Sequence, residues 1–373
     1  MNECNNKLSL LSTSPISQAL IALGVPIMIG MLINALYNLV DTYFVGGLGE
    51  QAMGAISIVF PLGQAVVGLG LLFGNGAASY LSRLLGSGDR QTANRVASTA
   101  VYSSVLIGAL VIGLTVIFLE PLLSLLGATA TIIPYALTYA RIYIVSCIFN
   151  VFNVTMNNIV ASEGAAKTAM CALLLGAVLN IGLDPILIYT FKLGVAGAAI
   201  ATAISQGVST LVYLCYMRCK RSAFSFHLKD VTLSRKLYAE ILKIGVPTLV
   251  FQLLTSLSIA MTNAIASTYG DTAIAGMGVV TRVTAMGTLV VFGFLKGFQP
   301  IAGFSYGAKN FTRLREAIKI ATLWSTVFCV IVGLFMTVFA TPIISAFAND
   351  NIAMLRVGTK AMRANGLSFI CGS

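Results

Sequence analysis

The chain has 373 residues, of which 57% are hydrophobic and only 9% charged, and its mean hydropathy is +0.91. That balance excludes an ordinary soluble domain. The net charge of +11 rests on few residues, and the single histidine, His227, placed in a loop between apolar stretches, argues against a histidine metal centre or a Ser-His-Asp triad.

A helix crosses the hydrocarbon core with about 20 apolar residues. In chain order, stretches of that kind cover 16–45, 54–82, 94–119, 131–161, 166–190, 195–218, 238–268, 273–305, 314–340 and 352–373. The sequence therefore predicts an all-α polytopic membrane protein with about ten helices. No segment alternates with period two over a strand's length, which argues against an outer-membrane barrel. The first stretch outruns the roughly 7–15 apolar residues of a cleaved signal and is read as a retained span.

The first span holds Pro26, Asn34, Tyr37 and its one charged residue, Asp41. A carboxylate at membrane depth costs roughly 3 kcal/mol on insertion scales and marks an ion or substrate pathway. Pro26 removes a backbone hydrogen bond and permits a bend, so a kink there linked to Asp41 is a simple coupling device. The glycines of the second span, Gly68, Gly70, Gly74 and Gly76, serve close helix packing; no GxxxxGK follows to make a phosphate loop. The fourth span brings Tyr139 and Arg141, the fifth Asn180, Asp184 and Pro185, the sixth Thr202. At about 1.5 Å per residue, Asp41, Tyr139, Asn180, Asp184 and Thr202 fall at one depth in the outer half of the first six spans. Two carboxylates there cannot both stay ionised without a counter-cation. They can take up a proton, or hold Na⁺ at Asp41, Asp184, Asn180 and Thr202. A structural ion pair with Arg141 is the competing reading.

Basic residues are distributed unevenly. The N-terminus and alternate loops hold Lys7, Arg83, Arg90, Arg95, Lys167, the cluster from Arg218 to Lys243, and Lys309, Arg313, Arg315 and Lys319, against Lys192 alone in the other set. By the positive-inside rule the N-terminus is cytoplasmic, so the positive charge reports topology rather than nucleic-acid binding. Seven cysteines form no CxxC, and Cys215 and Cys219 share a helix face without further ligands; no cofactor is expected.

The chain also repeats itself. Pro26 and Pro247, Gly49 and Gly270, Gly76 and Gly297, Gly86 and Gly307, and Pro121 and Pro342 all share one spacing. Six spans per repeat give both copies the same orientation, related by an axis along the membrane normal. The expected division is a six-helix bundle over 1–218, a basic cytoplasmic linker over 219–236, and a second, incomplete bundle of about four helices over 237–373. The counterpart of Asp41 is Thr262, while Arg282, Lys296, Arg356, Lys360 and Arg363 fall in the second copy. The chain ends inside an apolar stretch at Ser373, which reads as a truncation by two spans.

The segments PIMIGMLINALYNLVDTYFVGGLGEQAMGAISIVFP, SRLLGSGDRQTANRVAS and GFQPIAGFSYGAKNFTRLREA resemble the multidrug and toxic compound extrusion (MATE) family, bacterial branch. The resemblance implies a fold of two homologous six-helix bundles, twelve helices when complete, and export of cationic lipophilic drugs driven by inward Na⁺ or H⁺. It implies a cation site at Asp41, Asn180, Asp184 and Thr202 with Tyr139 in a neighbouring network. Some members carry acids on the seventh and tenth helices, and both are read as lacking them here. The expected protein is a monomeric, multi-pass antiporter of the bacterial inner membrane that needs no cofactor, binds no nucleic acid, and presents Asn34 and Tyr37 to a central substrate cleft. The alternatives are a lipid-linked saccharide flippase using Arg141, Arg282 and Lys296, and a truncated, non-transporting chain. No catalytic constellation suggests an enzyme.

Overall fold

The computed structural model describes residues 9–126, 128, 131–219, 221–267, 271–348 and 352–371. Lys7, Lys220, Gly270, Ser373 and the side chain of Thr262 lie outside this description. The elements are α1 (Ile16–Gly46), α2 (Glu50–Ser87), α3 (Arg90–Ile117), α4 (Leu119–Leu125), α5 (Ile133–Ser162), α6 (Ala166–Pro185), α7 (Val195–Arg218), α8 (Arg235–Ser267), α9 (Asp271–Gly307), α10 (Phe311–Val338), α11 (Ala340–Ala348) and α12 (Ile352–Cys371).

Each of the ten expected stretches carries a long helix over its described residues. Among the described residues the count nevertheless rises from about ten to 13, because α4, α11 and a helical turn at 9–12 are separate pieces. Pro121 and Pro342 each sit third in a short helix. Proline suits a first turn and not a helix interior, so the chain breaks after α3 and after α10 and restarts. Nine of the described helices are long and apolar enough to cross a membrane. The tenth expected span, α12, falls short of that measure because Arg356, Lys360 and Arg363 interrupt it, all on its exposed side.

The repeat is visible in the local structure. Asp89 caps α3 by accepting the Thr92 amide at 3.0 Å, and Asn310 caps α10 by accepting the Arg313 amide at 3.0 Å. The Thr92 amide holds the Asp89 carboxyl below the usual carboxylate range. The residues just before the two caps, Gly88 and Lys309, are both left-handed, at φ +79° and +55°. These pairs keep the spacing that relates Pro26 to Pro247.

The first and second halves meet through α1 against α9 and through α2 against both α8 and α9. Glycine makes this approach possible. A methyl group on Gly86 would overlap the Phe304 carbonyl, and one on Gly307 would overlap the Arg83 carbonyl. The two contacts exchange under the repeat, since 83 corresponds to 304 and 86 to 307. Gly76 against Ile241 and Gly245 against Leu72 continue the seam. An Arg83–Glu240 ion pair at 2.9 Å joins α2 to α8. Glu240 corrects the expectation that the seventh span lacks acids: it lies one turn into α8.

The 219–236 segment does more than carry charge. Its backbone is held by α3 through the Asn94 Oδ1 contact with the Ser225 amide (2.9 Å), the Ser98 hydroxyl on the Ser225 carbonyl (3.1 Å) and the Thr232 amide on Thr99 Oγ1 (3.0 Å). Glu163, buried at the end of α5, accepts the Ser222 hydroxyl (2.9 Å), the Ala223 amide (2.5 Å) and the Tyr216 hydroxyl. Glu163→Ala strands these donors and is expected to cost about 2–3 kcal/mol, read as a lowered melting midpoint of the detergent-solubilised protein. An unchanged melting curve would refute this account of how the segment is anchored.

Candidate ion and substrate site

On α1, Asn34, Tyr37 and Asp41 follow at i, i+3 and i+7 and so share a face. On α6, Asn180 and Asp184 stand one turn apart. The two faces meet: α1 packs along α6, Asn180 Nδ2 donates to Asp184 Oδ1 at 3.3 Å, and the Asp41 carboxyl lies close to that of Asp184. Asp184 is 0% and Asn180 1% exposed, with Asp41 half-buried. Three oxygens of this cluster, Asp41 Oδ1, Asn180 Oδ1 and Asp184 Oδ2, have no hydrogen-bond partner among the described residues. Buried acceptors are normally paired, so the cluster is short of positive charge or donors.

The backbone supports this meeting. Helix α6 ends at Pro185 and continues as one π-helical turn, Ile186–Thr190, a departure that often accompanies functional sites. From that turn the Tyr189 hydroxyl donates to the Phe44 carbonyl at 2.5 Å, tying α6 to α1 one turn beyond Asp41. Tyr139 is buried and stacked on Tyr143 with ring centroids 5.2 Å apart. It packs in an apolar cluster with Val45 and Ile188, and among the described residues no hydrogen bond links it to either acid.

Below the acids, α1, α5, α6 and α7 enclose a polar cavity lined by Asn34, Tyr37, Asn153, Asn180, Thr202, Ser205, Gln206, Ser209 and Tyr213. Asn180 and Thr202 both line this cavity. Asn34 and Tyr37 line this cavity as well, because the face of α1 that turns Asp41 toward α6 carries them along. Sequence reasoning passed over Asn153, Ser205, Gln206, Ser209 and Tyr213. Their signal was present as a polar stripe on α7, Thr202, Ser205, Gln206, Ser209 and Tyr213, at helical spacing on an otherwise apolar span. The stripe is braced by Asn153 Nδ2 on Gln206 Oε1 and by the Thr210 hydroxyl on Asn153 Oδ1, both 2.9 Å.

Pro26 lies within α1, which continues through it from Ile16 to Gly46; the ring leaves the Ala22 carbonyl without its helical donor. Arg141 is exposed and pairs with neither acid. Of the basic residues invoked for a flippase, Arg282 is also exposed, and Lys296 lines a cavity.

A family model described as MatE matches residues 26–186 and 247–371, beginning at each of the repeat-related prolines. The chain belongs to the MATE family. This MATE protein is 31% identical over 366 residues to the multidrug export protein MepA of Staphylococcus saprophyticus, covering 96% of this chain and 80% of that one. It is 30% identical over 370 residues to MepA of Staphylococcus aureus, with the same coverage. A solved structure described as the outward-facing conformation of a multidrug resistance MATE family transporter of the MOP superfamily superposes with a TM-score of 0.91 at 30% identity, over 98% of this chain and 81% of that chain. The MATE chain is thus a multi-pass membrane transporter whose relatives export drugs, and membership of the family makes it a transporter rather than an enzyme.

Proposed function

We propose that this MATE protein is a secondary antiporter that exports cationic lipophilic compounds in exchange for Na⁺ or H⁺. The observation that carries this reading is the set of unpartnered buried oxygens on Asp41, Asn180 and Asp184. Two facing carboxyl groups in a poorly solvated bundle form a stable arrangement only with a proton or a cation between them. Thr202, on the wall of the adjoining cavity, offers a further oxygen. Cation entry favours one packing of α1 against α6, with Pro26 as the place where α1 bends. Residues 1–218 and 237–373 act as two bundles about a shared axis, with 219–236 as the linker. Asn34 and Tyr37 contact substrate in the first-bundle cavity, and Tyr139 shapes the acid site through packing. The excess of basic residues on one set of loops supports a cytoplasmic N-terminus in the inner membrane of a bacterium. The working unit is a monomer.

Purified protein in proteoliposomes preloaded with ethidium tests the reading. An imposed Na⁺ or proton gradient is expected to speed dye movement severalfold over gradient-free vesicles. Dye movement indifferent to both gradients would refute ion coupling.

A further inference from the structure

A second polar cavity lies on the seam between the two halves, away from the acid pair. Its polar walls are Asn157, Asn158 and Ser162 of α5 and Lys296 and Gln299 of α9, with Ala78 of α2 beside them. The half-buried Lys296 ammonium has neither an ion pair nor a hydrogen bond among the described residues, and no acidic side chain lines the cavity. A cation at this depth without a partner is costly, and such residues face functional cavities. Position adds to the argument. One residue along α9, Gly297 packs against Gly24 of α1, so the cavity opens whenever the inner ends of the halves part. The Asn157 side chain also donates to the Tyr213 hydroxyl at 3.0 Å. Tyr213 lines the first-bundle cavity, so the two polar spaces share one hydrogen-bonded wall.

We infer that Lys296, with Asn157, Asn158 and Gln299, forms an anion subsite that receives the negatively charged group of an amphiphile entering at the parted inner ends. The Lys296 ammonium supplies the charge, and the side-chain amides supply directional hydrogen bonds that an apolar seam lacks. A zwitterion carrying both a delocalised cation and a carboxylate is then held better than its esterified form. The same chemistry is met by a lipid phosphate, so the two sources need separating. The inference rests on the export reading above and adds to it a preference among substrates.

The test is equilibrium binding of tetramethylrhodamine free acid and of its methyl ester to the purified full chain in phosphatidylcholine nanodiscs. Lys296→Gln is expected to weaken the free acid about tenfold or more, the scale of a lost charge-assisted hydrogen bond, and to leave the ester unchanged. Lys296→Arg keeps the free acid bound. Retained ester binding shows that the variant is folded. Equal weakening of both dyes, or of neither, overturns the subsite while leaving the export reading intact. A wild-type protein that binds neither dye overturns both. Phosphatidylglycerol in the nanodiscs distinguishes the sources: loss of the free acid's advantage supports the subsite with lipid phosphate as its occupant, and a retained advantage supports it with the carboxylate.

Discussion

Asp41→Asn is expected to reduce gradient-driven efflux to the level of empty vesicles, with membrane insertion and dye binding preserved. The substitution keeps the shape and removes the charge. An asparagine at 41 can donate to Asp184, whose Oδ2 has no partner in the native cluster, so the site is satisfied permanently and no longer calls for a cation. In charge alone, a monovalent ion about 4 Å from the lost carboxylate forfeits about 4 kcal/mol at an effective dielectric of 20, roughly a thousandfold in affinity. Asn180→Ala should act more mildly, about tenfold on ion affinity, because it removes one 3.3 Å hydrogen bond to Asp184 and one oxygen. The measurement is initial efflux rate against ion concentration in proteoliposomes. Full coupled efflux by Asp41→Asn would remove the acid pair from the mechanism.

The acid pair was legible in the sequence because charge inside an apolar span is rare and helix rise is constant. Counting residues from the span ends was enough to put Asp41, Asn180 and Asp184 at one depth, and the packing of α1 along α6 places Asp41 near the hydrogen-bonded Asn180 and Asp184. Counting says nothing about azimuth, the direction in which a side chain faces around its helix. Tyr139 shares their level but packs against Tyr143, while Arg141, two residues on, is exposed. Azimuth also decides that Asn34 and Tyr37 line the first-bundle cavity. Serine, glutamine and tyrosine inside a span draw less attention than an aspartate because each is cheap to bury singly, and so the stripe on α7 was passed over. Glu163 was hidden for another reason. Its partners, Tyr216, Ser222 and Ala223, lie more than fifty residues ahead in the chain, and nothing local marks a carboxylate as one that holds a linker.

The second large effect is expected at the seam. Gly86→Val and Gly307→Val should each release the packing of the inner ends, because the atoms a side chain would meet are the Phe304 and Arg83 carbonyls. A clash with a flexible side chain is relieved by a rotamer change. A clash with the backbone of a helix's last turn, as at both sites, is relieved only by moving that end of the helix. Overpacking of this kind costs about 1–3 kcal/mol, and at the upper end it displaces a two-state equilibrium by more than a hundredfold. The observable is labelling of an Ala161→Cys reporter on the seam cavity by a membrane-impermeant maleimide, in a background without the native cysteines. Either glycine variant should raise the labelling rate at least tenfold and reduce efflux in proportion, since alternating access needs the seam to close as well as to open. Gly113→Val and Gly207→Val are the controls, as neither glycine has a neighbour within 4 Å of the added carbon. The repeat sharpens the test further. Because Gly86 and Gly307 occupy exchanged positions, the two single variants should match each other. If only one of them loosens the seam, the two halves do not close as symmetry-related partners, and the shared spacing of their glycines reflects ancestry without a common mechanical role.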